Sequence, residues 1–569
     1  MADVQRKFGK LEKENLPLHC KKDVHPMDLV ALLGLNNKTP ECRSFVTTAF
    51  EWLNNANKYN NIELKPKMAR FSQKHFDQML GYKYKALYGL PEGFVEGFLR
   101  VESSKDTQHP YRLRPLFAPD ANEQTATREM LQKLIMSKKE SIRLNGAGNP
   151  ELVVQLDMKS YYDQFPLSEG VKKKMCFLGD DGKVYALERL PMGLRPACEV
   201  AQAVTWFLLD FEMDPRVKVN TCIDNIRFTG PKNETTDAIR TFLTRCKIVG
   251  AQLDKNPELT DEGITALDER KGDFLGEHYD YVKGTRALTP KTVDKLLVVD
   301  KWLKQQVEEG DITLTASQFS TLMGLLFWTK QVLDLELASC FHLLRDYRNS
   351  CSEAVSGGYG TYTKLTATAK GELKKWLEIA IENKAVPMVP PKRDRPTLNI
   401  VVDASGVGFG AIATTDFTDC KMISGAWPEE MLEKAQSSVW AEPEGIFMAC
   451  CRFVRPTDTH VRIYTDHSPV VHAAAAGYAK GFSPNLLLKR LRDTFKGVYF
   501  EIVHVKGVNN PADRFSRLGE DMRGGKEELT EGEWDLVKRL EAERWELGPK
   551  DYVDPLYLAD KDNKPQFMV

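Results

Sequence analysis

The proline-rich segment AVPMVPPKRDRP, at residues 385–396, most strongly limits how this chain can fold. Strand-like apolar runs alternate with helical stretches both before it, over residues 101–285, and after it, up to about residue 520. Proline restricts the backbone and cannot donate to a sheet ladder, so this segment is expected to separate two folded units. The length of 569 residues also exceeds what one hydrophobic core supports, which predicts about three or four domains or subdomains.

Composition narrows the class of protein. Hydrophobic residues make up 42% of the chain and charged residues 28%, which is typical of a globular protein. The formal net charge is −1, so any nucleic-acid surface must be a local basic groove. The 11 cysteines form no CxxC pair, which argues against a zinc ribbon or a disulfide framework. With no apolar run of membrane-spanning length and no secretory core at the start, we expect an intracellular protein, cytoplasmic or nuclear, without a membrane partner.

Three segments before the linker could together carry metal-dependent chemistry. ELVVQLDMKSYYDQFPL (151–167) is a buried strand by composition that delivers Asp157 at its end. A Pro-x-Gly turn at Pro191 and Gly193 then opens a long helix, and VNTCIDNIRFTG (219–230) reads as a hairpin with Asp224 and Asn225 at its tip. Phosphoryl transfer by two metal ions needs carboxylates from separate backbone segments. Each segment alone is also compatible with an ordinary turn or helix cap.

In this order the three segments resemble motifs A, B and C of the reverse-transcriptase palm. LDMKSYYDQFPL is similar to the LDLxxxYxQIP pattern of gypsy-type and related retroelements, and LPMGLRPACEVAQ resembles MPFGLxxAPxxFQ. The resemblance implies that Asp157, Asp224 and Asn225 are catalytic residues. Asp157 and Asp224 would be the metal ligands, and Asn225 stands where the family usually has a second aspartate. It implies a steric gate against the ribose 2′-hydroxyl at Tyr162. The remaining substrate-binding residues that it implies are Gln164, Gly193 and Gln202.

Flanking segments extend the same resemblance. HPYRLRPLFAPDAN (109–122) looks like the fingers segment that holds the incoming triphosphate, which makes Arg112 and Arg114 candidates for phosphate binding. Two solvated arginines on a strand are the ordinary alternative. DFLGEHYD resembles motif E, the primer grip, at Phe274, Leu275 and Gly276. RCKIVGAQLDKNPEL is similar to motif D, but the position of its lysine is ambiguous.

A second set of acidic residues follows the linker. LNIVVDASGVGFGAIA (398–413) reads as two apolar strands with Asp403 on the first, and DASGVGFGA resembles the first strand of retroelement RNase H domains. That likeness implies three further catalytic metal ligands in chain order: Glu442, Asp466 in YTDH, and Asp513 in HVKGVNNPADRFSRL. Glu444 is the rival to Glu442. Pro443 departs from the usual leucine, although a first-turn proline is compatible with a helix start.

The expected fold class is α+β and multidomain, a right-hand polymerase with fingers, palm and thumb followed by an RNase H-like α/β domain. The expected domains are a helical N-terminal extension (1–100), fingers and palm (101–285), a helical thumb or connection (286–392), the RNase H-like domain (393–520) and a tail (521–569). In the tail, Thr530 and Glu533 have the spacing of a capping box for a last helix.

The resemblance implies a retrotransposon RNA-directed DNA polymerase with RNase H activity, closest to the tyrosine-recombinase elements of the DIRS, Ngaro and VIPER groups. Its cofactor would be Mg²⁺ or Mn²⁺, two ions per active site. Its partners would be an RNA template, a DNA primer, RNA–DNA hybrid and dNTPs, together with other proteins of the element. There are two alternatives: a decayed nucleic-acid-binding scaffold, and a protein in which only the nuclease works. Both arise because Asn225 stands where the family usually has a second aspartate.

Overall fold

The fold was derived from a computed structural model, which describes residues 2–9, 11, 16–59, 65–106, 108–119, 137–390, 393–519 and 528–547. The protein is a mixed α+β, multidomain chain, as expected. The described residues form two compact units. The first contains those up to Val299 together with Ala385–Val389, and the second contains those from Asp300 to Lys384 and from Pro390 onward. Within these ranges, no helix has the length and apolarity needed to cross a bilayer.

The helices, in chain order, are α1 Ala2–Phe8, α2 Leu29–Leu33, α3 Pro40–Asn54, α4 Gln73–Met79, α5 Lys139–Ala147, α6 Glu169–Lys172, α7 Ala197–Leu209, α8 Lys232–Val249, α9 Asp261–Thr265, α10 Pro290–Glu309, α11 Ala316–Leu333, α12 Phe341–Gly357, α13 Ala367–Glu382, α14 Leu432–Ala435, α15 Ser438–Phe453, α16 Ser468–Ala476, α17 Phe482–Thr494, α18 Asp513–Ser516 and α19 Glu531–Leu547.

The strands are β1 Tyr84–Ala86, β2 Val95–Ser103, β3 Tyr111–Pro119, β4 Leu152–Asp157, β5 Cys176–Leu178, β6 Val184–Leu187, β7 Lys218–Cys222, β8 Asn225–Gly230, β9 Lys271–Phe274, β10 Glu277–Asp280, β11 Thr285–Leu288, β12 Thr313–Thr315, β13 Tyr362–Lys364, β14 Val386–Pro387, β15 Leu398–Ala404, β16 Gly408–Thr414, β17 Lys421–Ala426, β18 His460–Thr465 and β19 Tyr499–His504.

The central sheet of the first unit has the antiparallel order β4-β8-β7. Its alternating side chains supply two separate cores. Leu156 and Phe228 pack in the large core that includes α7 and α8, whereas Val153 packs on the opposite face with Tyr279 and Tyr281. Because β4 is apolar on both faces, it must be covered on both sides, as its near-continuous apolar sequence predicts.

A hairpin of β9 and β10 covers that second face and continues into the four-stranded sheet β14-β11-β10-β9. In this sheet Arg286 of β11 pairs with Val386 and Thr285 pairs with Pro387. The first half of the proline-rich segment is therefore a short edge strand of the first unit rather than a spacer. Pro387 is tolerated there because an edge strand needs no donor on its open side.

The N-terminal part of the chain is helical only as far as Met79. Strand β1 begins at Tyr84, and the expected boundary at residue 100 falls within β2. Strands β2 and β3 form a long two-stranded ribbon in which Glu102 lies opposite Arg112.

The second unit contains α11 to α13 and the five-stranded sheet β17-β16-β15-β18-β19. Strands β15, β18 and β19 are parallel, whereas β16 and β17 are antiparallel to their neighbours. On one face, Ile400 and Ile463 pack with residues of α15 and α17. On the other, Val401 and Tyr464 pack with Val537 of α19.

The predicted capping box of α19 is confirmed. The Glu533 carboxylate accepts from the Thr530 amide at 2.9 Å, and the Thr530 hydroxyl accepts from the Glu533 amide at 3.2 Å.

Candidate active sites

The first candidate site lies at the end of the sheet β4-β8-β7. Asp157 ends β4 and is the register partner of Asn225, the first residue of β8. The predicted hairpin is present, but its two-residue turn is Ile223 and Asp224, and Asn225 pairs with Cys222 as the first residue of β8. Ile223 has a φ of 56°, an unusual conformation for a β-branched residue. The turn that presents Asp224 is thus strained and must be held by its surroundings.

Two side chains of α7 hold this turn. The Gln202 side-chain oxygen accepts from the Ile223 amide at 2.5 Å, and the Thr205 hydroxyl donates to the Ile223 carbonyl at 2.6 Å. Gln202 is fully buried, so it supports the turn instead of contacting substrate as expected. Thr205, which the sequence motifs did not single out, acts beside it.

Asp224 sits in a partly desolvated position between opposing charges. Burial raises the pKa of its carboxyl, Asp157 adds to the rise, and Arg114 and Lys105 oppose it. The Asn225 side-chain amide donates to Asp224 Oδ1 at 3.1 Å. An aspartate at position 225 could not make this bond while ionised and would repel Asp224 instead. Asn225 therefore lowers the electrostatic cost of holding two carboxylates at the strand ends.

A lysine that the sequence motifs did not single out completes this cluster. Lys105 Nζ lies 3.0 Å from Asp157 Oδ2, although its side chain is 91% exposed. It precedes β3 in an irregular stretch, where no periodic pattern marks it. Its one recognisable signal is its position a few residues before the two candidate arginines.

Arg112 and Arg114 project from the same face of β3, two residues apart. Each guanidinium Nε donates to one oxygen of Glu102, both at 2.5 Å. Burial acts to raise the pKa of Glu102, but the hydrogen bonds and charges of the two arginines outweigh it and lower that pKa. The two guanidinium groups are thus bridged by a single carboxylate.

Two motif A residues have different surroundings. Tyr162 is part-buried, with its hydroxyl 3.2 Å from Cys198 Sγ. Burial raises the pKa of this hydroxyl, Cys198 and Asp224 add to the rise, and Arg114 opposes it. Gln164 is fully buried, and its side chain donates to the Lys159 and Gln252 carbonyls. It also accepts from the Gln252 amide, so its polar atoms are used in the protein interior. The expected contact of Gln164 with substrate is replaced by a structural role.

Gly193 permits a close backbone approach, but by a neighbouring strand. It has a φ of +115°, and a Cβ atom there would lie 2.2 Å from the Phe117 carbonyl oxygen of β3. The Phe117 amide donates to the Met192 carbonyl at 2.8 Å. Glycine is therefore required so that this turn can dock on β3. Gly193 is itself exposed, so the expected approach of substrate stays a prediction.

The segment expected to grip a primer is the tight turn of the β9–β10 hairpin. Leu275 and Gly276 both have positive φ, 47° and 84°, as in a type I′ turn. Phe274 is buried beneath the Arg227 guanidinium, whose carbon lies 5.1 Å from the ring centre. Phe274 anchors the hairpin from within, so only Leu275 and Gly276 lie at its tip.

The second candidate site lies where two parallel strands of the second unit end. Asp403 is near the end of β15, and Asp466 directly follows the adjacent β18. The carboxyl ends of neighbouring parallel strands meet at one edge of a sheet, which brings these residues together. Together with Glu442 they form a group whose ligand oxygens all lie within 4.8 Å of one another, and no other such group of three occurs among the residues that the structure describes.

Helix α15 supplies the third carboxylate and decides between the two glutamates. Glu442 faces the sheet and is 6% exposed, whereas Glu444 forms an ion pair with Arg490 at 2.6 Å. Pro443 is not in the first turn as expected, because the helix already begins at Ser438. Proline interrupts one helical hydrogen bond there, and the helix is nonetheless held by its packing on the sheet.

Asp513 lies beside this group without being one of the three. It is the first residue of α18, and its carboxylate forms an ion pair with Arg517 at 2.9 Å. Ser516 of the same helix donates to Asp403 Oδ2 at 2.6 Å. This approach depends on Gly410, where a Cβ atom would lie 2.5 Å from the Phe515 backbone. The second glycine of GFG therefore lets α18 reach Asp403.

The donor set of the second site fits a divalent cation. Burial, Asp403 and Asp466 raise the pKa of Glu442 to about 8. Burial, opposed by the Ser516 hydrogen bond and aided by Asp466 and Asp513, raises the pKa of Asp403 to about 6. Glu442 Oε2 is buried without a hydrogen-bond partner. Mg²⁺ and Mn²⁺ prefer carboxylate oxygens as ligands. The second site offers several of them close together, and one has no hydrogen-bond partner.

Comparisons with known proteins found a likeness only at the level of structure. No family model and no curated protein matches the sequence. Among solved structures, the foamy viral protease-reverse transcriptase with RNA/DNA hybrid is 11% identical, with a TM-score of 0.40, over 90% of this chain and 67% of that one. The same viral protein with double-stranded DNA is 12% identical, with a TM-score of 0.37, over 86% and 99%. Similarity this weak carries no argument, so the interpretation depends on the two sites.

Proposed function

We propose that this protein is an RNA-directed DNA polymerase with ribonuclease H activity. The observation that carries the proposal is that two groups of acidic residues lie where strands end, one group in each unit. In the first unit they are Asp157 and Asp224. In the second, Asp403 and Asp466 at strand ends come together with Glu442 of α15. In this proposal the first unit holds the fingers and palm. The helices of the second unit are the thumb or connection, and its five-stranded sheet is the RNase H-like domain.

In the first site, Asp157 and Asp224 would hold Mg²⁺ or Mn²⁺. Arg112, Arg114 and Lys105 would bind the triphosphate of a dNTP, since guanidinium groups grip phosphate oxygens bidentately. An incoming phosphate would compete with Glu102 for the arginines and with Asp157 for Lys105. The Tyr162 ring would exclude the ribose 2′-hydroxyl. When bound, the metals would neutralise developing charge on the phosphate.

In the second site, Asp403, Glu442 and Asp466 would hold the metals, and Asp513 would complete the ligand set after turning from Arg517. Ser516 orients one oxygen of Asp403 and leaves the other free to bind. The raised pKa values mean that the metal-free triad retains a proton near neutral pH, so metal binding would release it. Contacts with the 2′-hydroxyl would select the RNA strand of a hybrid.

The motif resemblance alone supports the narrower proposal of a retrotransposon enzyme related to the DIRS, Ngaro and VIPER groups. Template RNA, primer DNA, dNTPs and other proteins of the element would then be its partners.

A protein in which only the nuclease works is the second candidate. It is favoured by Asn225, which leaves the first site with two carboxylates where the second site has three.

A paired assay separates the two proposals. The purified chain should extend a DNA primer on an RNA template with Mg²⁺ or Mn²⁺ and should cleave the RNA of a hybrid. Asp403→Asn should abolish cleavage and leave extension intact. Hybrid cleavage without any extension in either metal would support the nuclease-only candidate.

A further inference from the structure

Arg227 is a fully buried arginine in the strand that carries the proposed polymerase site. It lies on β8, two residues after Asn225, so both side chains belong to the same face of the sheet. The register partners of Arg227 are Gln155 on β4 and Asn220 on β7. No sequence motif marks Arg227, because its strand reads as an ordinary apolar hairpin arm.

The Arg227 guanidinium is enclosed by the hairpin that covers this face. Its carbon lies 5.1 Å from the centre of the Phe274 ring and 5.6 Å from those of Tyr279 and Tyr281. Such aromatic faces stabilise a cation, and more strongly when water is excluded. One arginine on the catalytic strand thus contacts both strands of the β9–β10 hairpin and the residue that follows it.

Hydrogen bonds fix the orientation of this guanidinium. It donates to the Ile142 carbonyl at 2.5 Å, to Asn220 Oδ1 at 2.8 Å and to the Tyr281 hydroxyl at 3.2 Å. These three partners are neutral, and Arg227 Nε is buried without a partner. Burying a charge with this set is costly, so a core built for stability alone would favour an apolar residue. What the arrangement provides is a defined position of the hairpin relative to β8.

Helix α5 holds the other side of the same hairpin. Arg143 pairs with Glu277 at 2.5 Å, and the Tyr279 hydroxyl donates to the same carboxylate. Lys139 donates to the Leu275 carbonyl within the turn. Contacts from both α5 and β8 therefore hold the turn in place. The contact from β8, the strand that begins with Asn225, is made by Arg227.

We propose that Arg227 is a positioning residue that sets the distance between the Leu275–Gly276 turn and Asp224, and thereby places the primer terminus for reaction. This inference rests on the proposed polymerase function. Loss of the guanidinium would leave the Asn220 and Tyr281 oxygens without their donor and open a cavity against three rings. The turn could then shift, and a displacement of about 1 Å at a reacting terminus costs about 100-fold in rate.

The test compares Arg227→Met with Arg245→Met. Arg245 is a matched control, because it is also buried and donates to the Phe207 and Leu208 carbonyls, but it contacts no part of the β9–β10 hairpin in the described contacts. Arg227→Met should lower kcat/KM for primer–template by about 100-fold, with a raised KM for primer–template and a KM for dNTP within about twofold of wild type. Arg245→Met should lower only the fraction of the protein that is folded and active. Arg227→Lys should restore part of the kcat/KM for primer–template that Arg227→Met loses.

Amide hydrogen exchange tests whether Arg227 positions the hairpin without requiring polymerase activity. In Arg227→Met, exchange in residues 271–281 should accelerate relative to both wild type and Arg245→Met, whereas exchange in α8 should match that of wild type. If the wild-type chain extends no primer, the proposed function fails and the exchange result alone decides whether Arg227 positions the hairpin. Equal exchange in the two variants, or an unchanged KM for primer–template in Arg227→Met, would overturn the positioning role.

Discussion

Glu442→Gln should abolish hybrid cleavage and yet stabilise the metal-free second unit. Glutamine keeps an oxygen to accept from the Ala404 amide, a hydrogen bond that Glu442 makes. Its amide would donate toward the carboxylates of Asp403 and Asp466, where Glu442 adds repulsion. The variant loses one anionic metal ligand, which removes the nuclease activity, but it also removes the cost of burying a third charge.

The magnitude follows from the raised pKa of Glu442, which moves from 4.5 to about 8. A raised folded-state pKa means that the native state binds the extra proton, so this contribution to stability is lost as pH rises toward 8. At about 1.4 kcal/mol per pKa unit, the cost relative to a neutral side chain is about 1 kcal/mol at pH 5 and about 3 kcal/mol at pH 7. It approaches about 5 kcal/mol above pH 8.

The free energy of unfolding of the second unit is measured by amide hydrogen exchange in β15. Glu442→Gln should exceed wild type by these amounts without metal, and the difference should shrink when Mg²⁺ is added, because only wild type gains its binding energy. Glu444→Gln is the control: it breaks the ion pair with Arg490 and should gain no stability at any pH. Equal or lower stability of Glu442→Gln across pH 5–9 would show that the buried charge of Glu442 does not destabilise the second unit.

Three further variants test other contacts. Asn225→Asp should lower the Mg²⁺ concentration needed for half-maximal primer extension several-fold and lower the stability of the metal-free first unit, as measured by metal titration and urea unfolding. Gly193→Ala should destabilise the first unit by more than about 3 kcal/mol, because its Cβ would overlap the Phe117 carbonyl; calorimetry measures this. Glu533→Ala should remove both the acceptor that caps α19 and the 2.7 Å ion pair with Arg514, the neighbour of Asp513. It should cost about 1 kcal/mol and reduce hybrid cleavage, with primer extension unchanged.

Local patterns predicted the strand ends and turns of both sites. Asp157, Asp224 and Asp403 lie where apolar strand runs end or turn, because alternation and turn residues are encoded within a few positions. The choice of Glu442 over Glu444 could not be made in the same way, because it depends on which side of α15 faces the sheet. The ion pair with Arg490, 46 residues further along, settles it.

Roles that depend on distant contacts were not predictable. Gln164 and Gln202 match a family pattern, yet both are fully buried and bond to segments far along the chain. Strand β14 was hidden in the linker because its pairing partner lies about 100 residues earlier, at Arg286. Lys105 and Arg227 were missed for opposite reasons: one lies in an irregular stretch, and the other is in a strand where a buried charge is not expected.

Single-nucleotide incorporation measures the proposed polymerase activity directly. A DNA primer annealed to an RNA template would be incubated with the next complementary dNTP and Mg²⁺ or Mn²⁺, using wild type, Asp224→Ala and Asp403→Asn. We expect incorporation by wild type and Asp403→Asn, and none by Asp224→Ala. Incorporation by Asp224→Ala at the wild-type rate, or by none of the three proteins in either metal, would contradict the proposed polymerase activity.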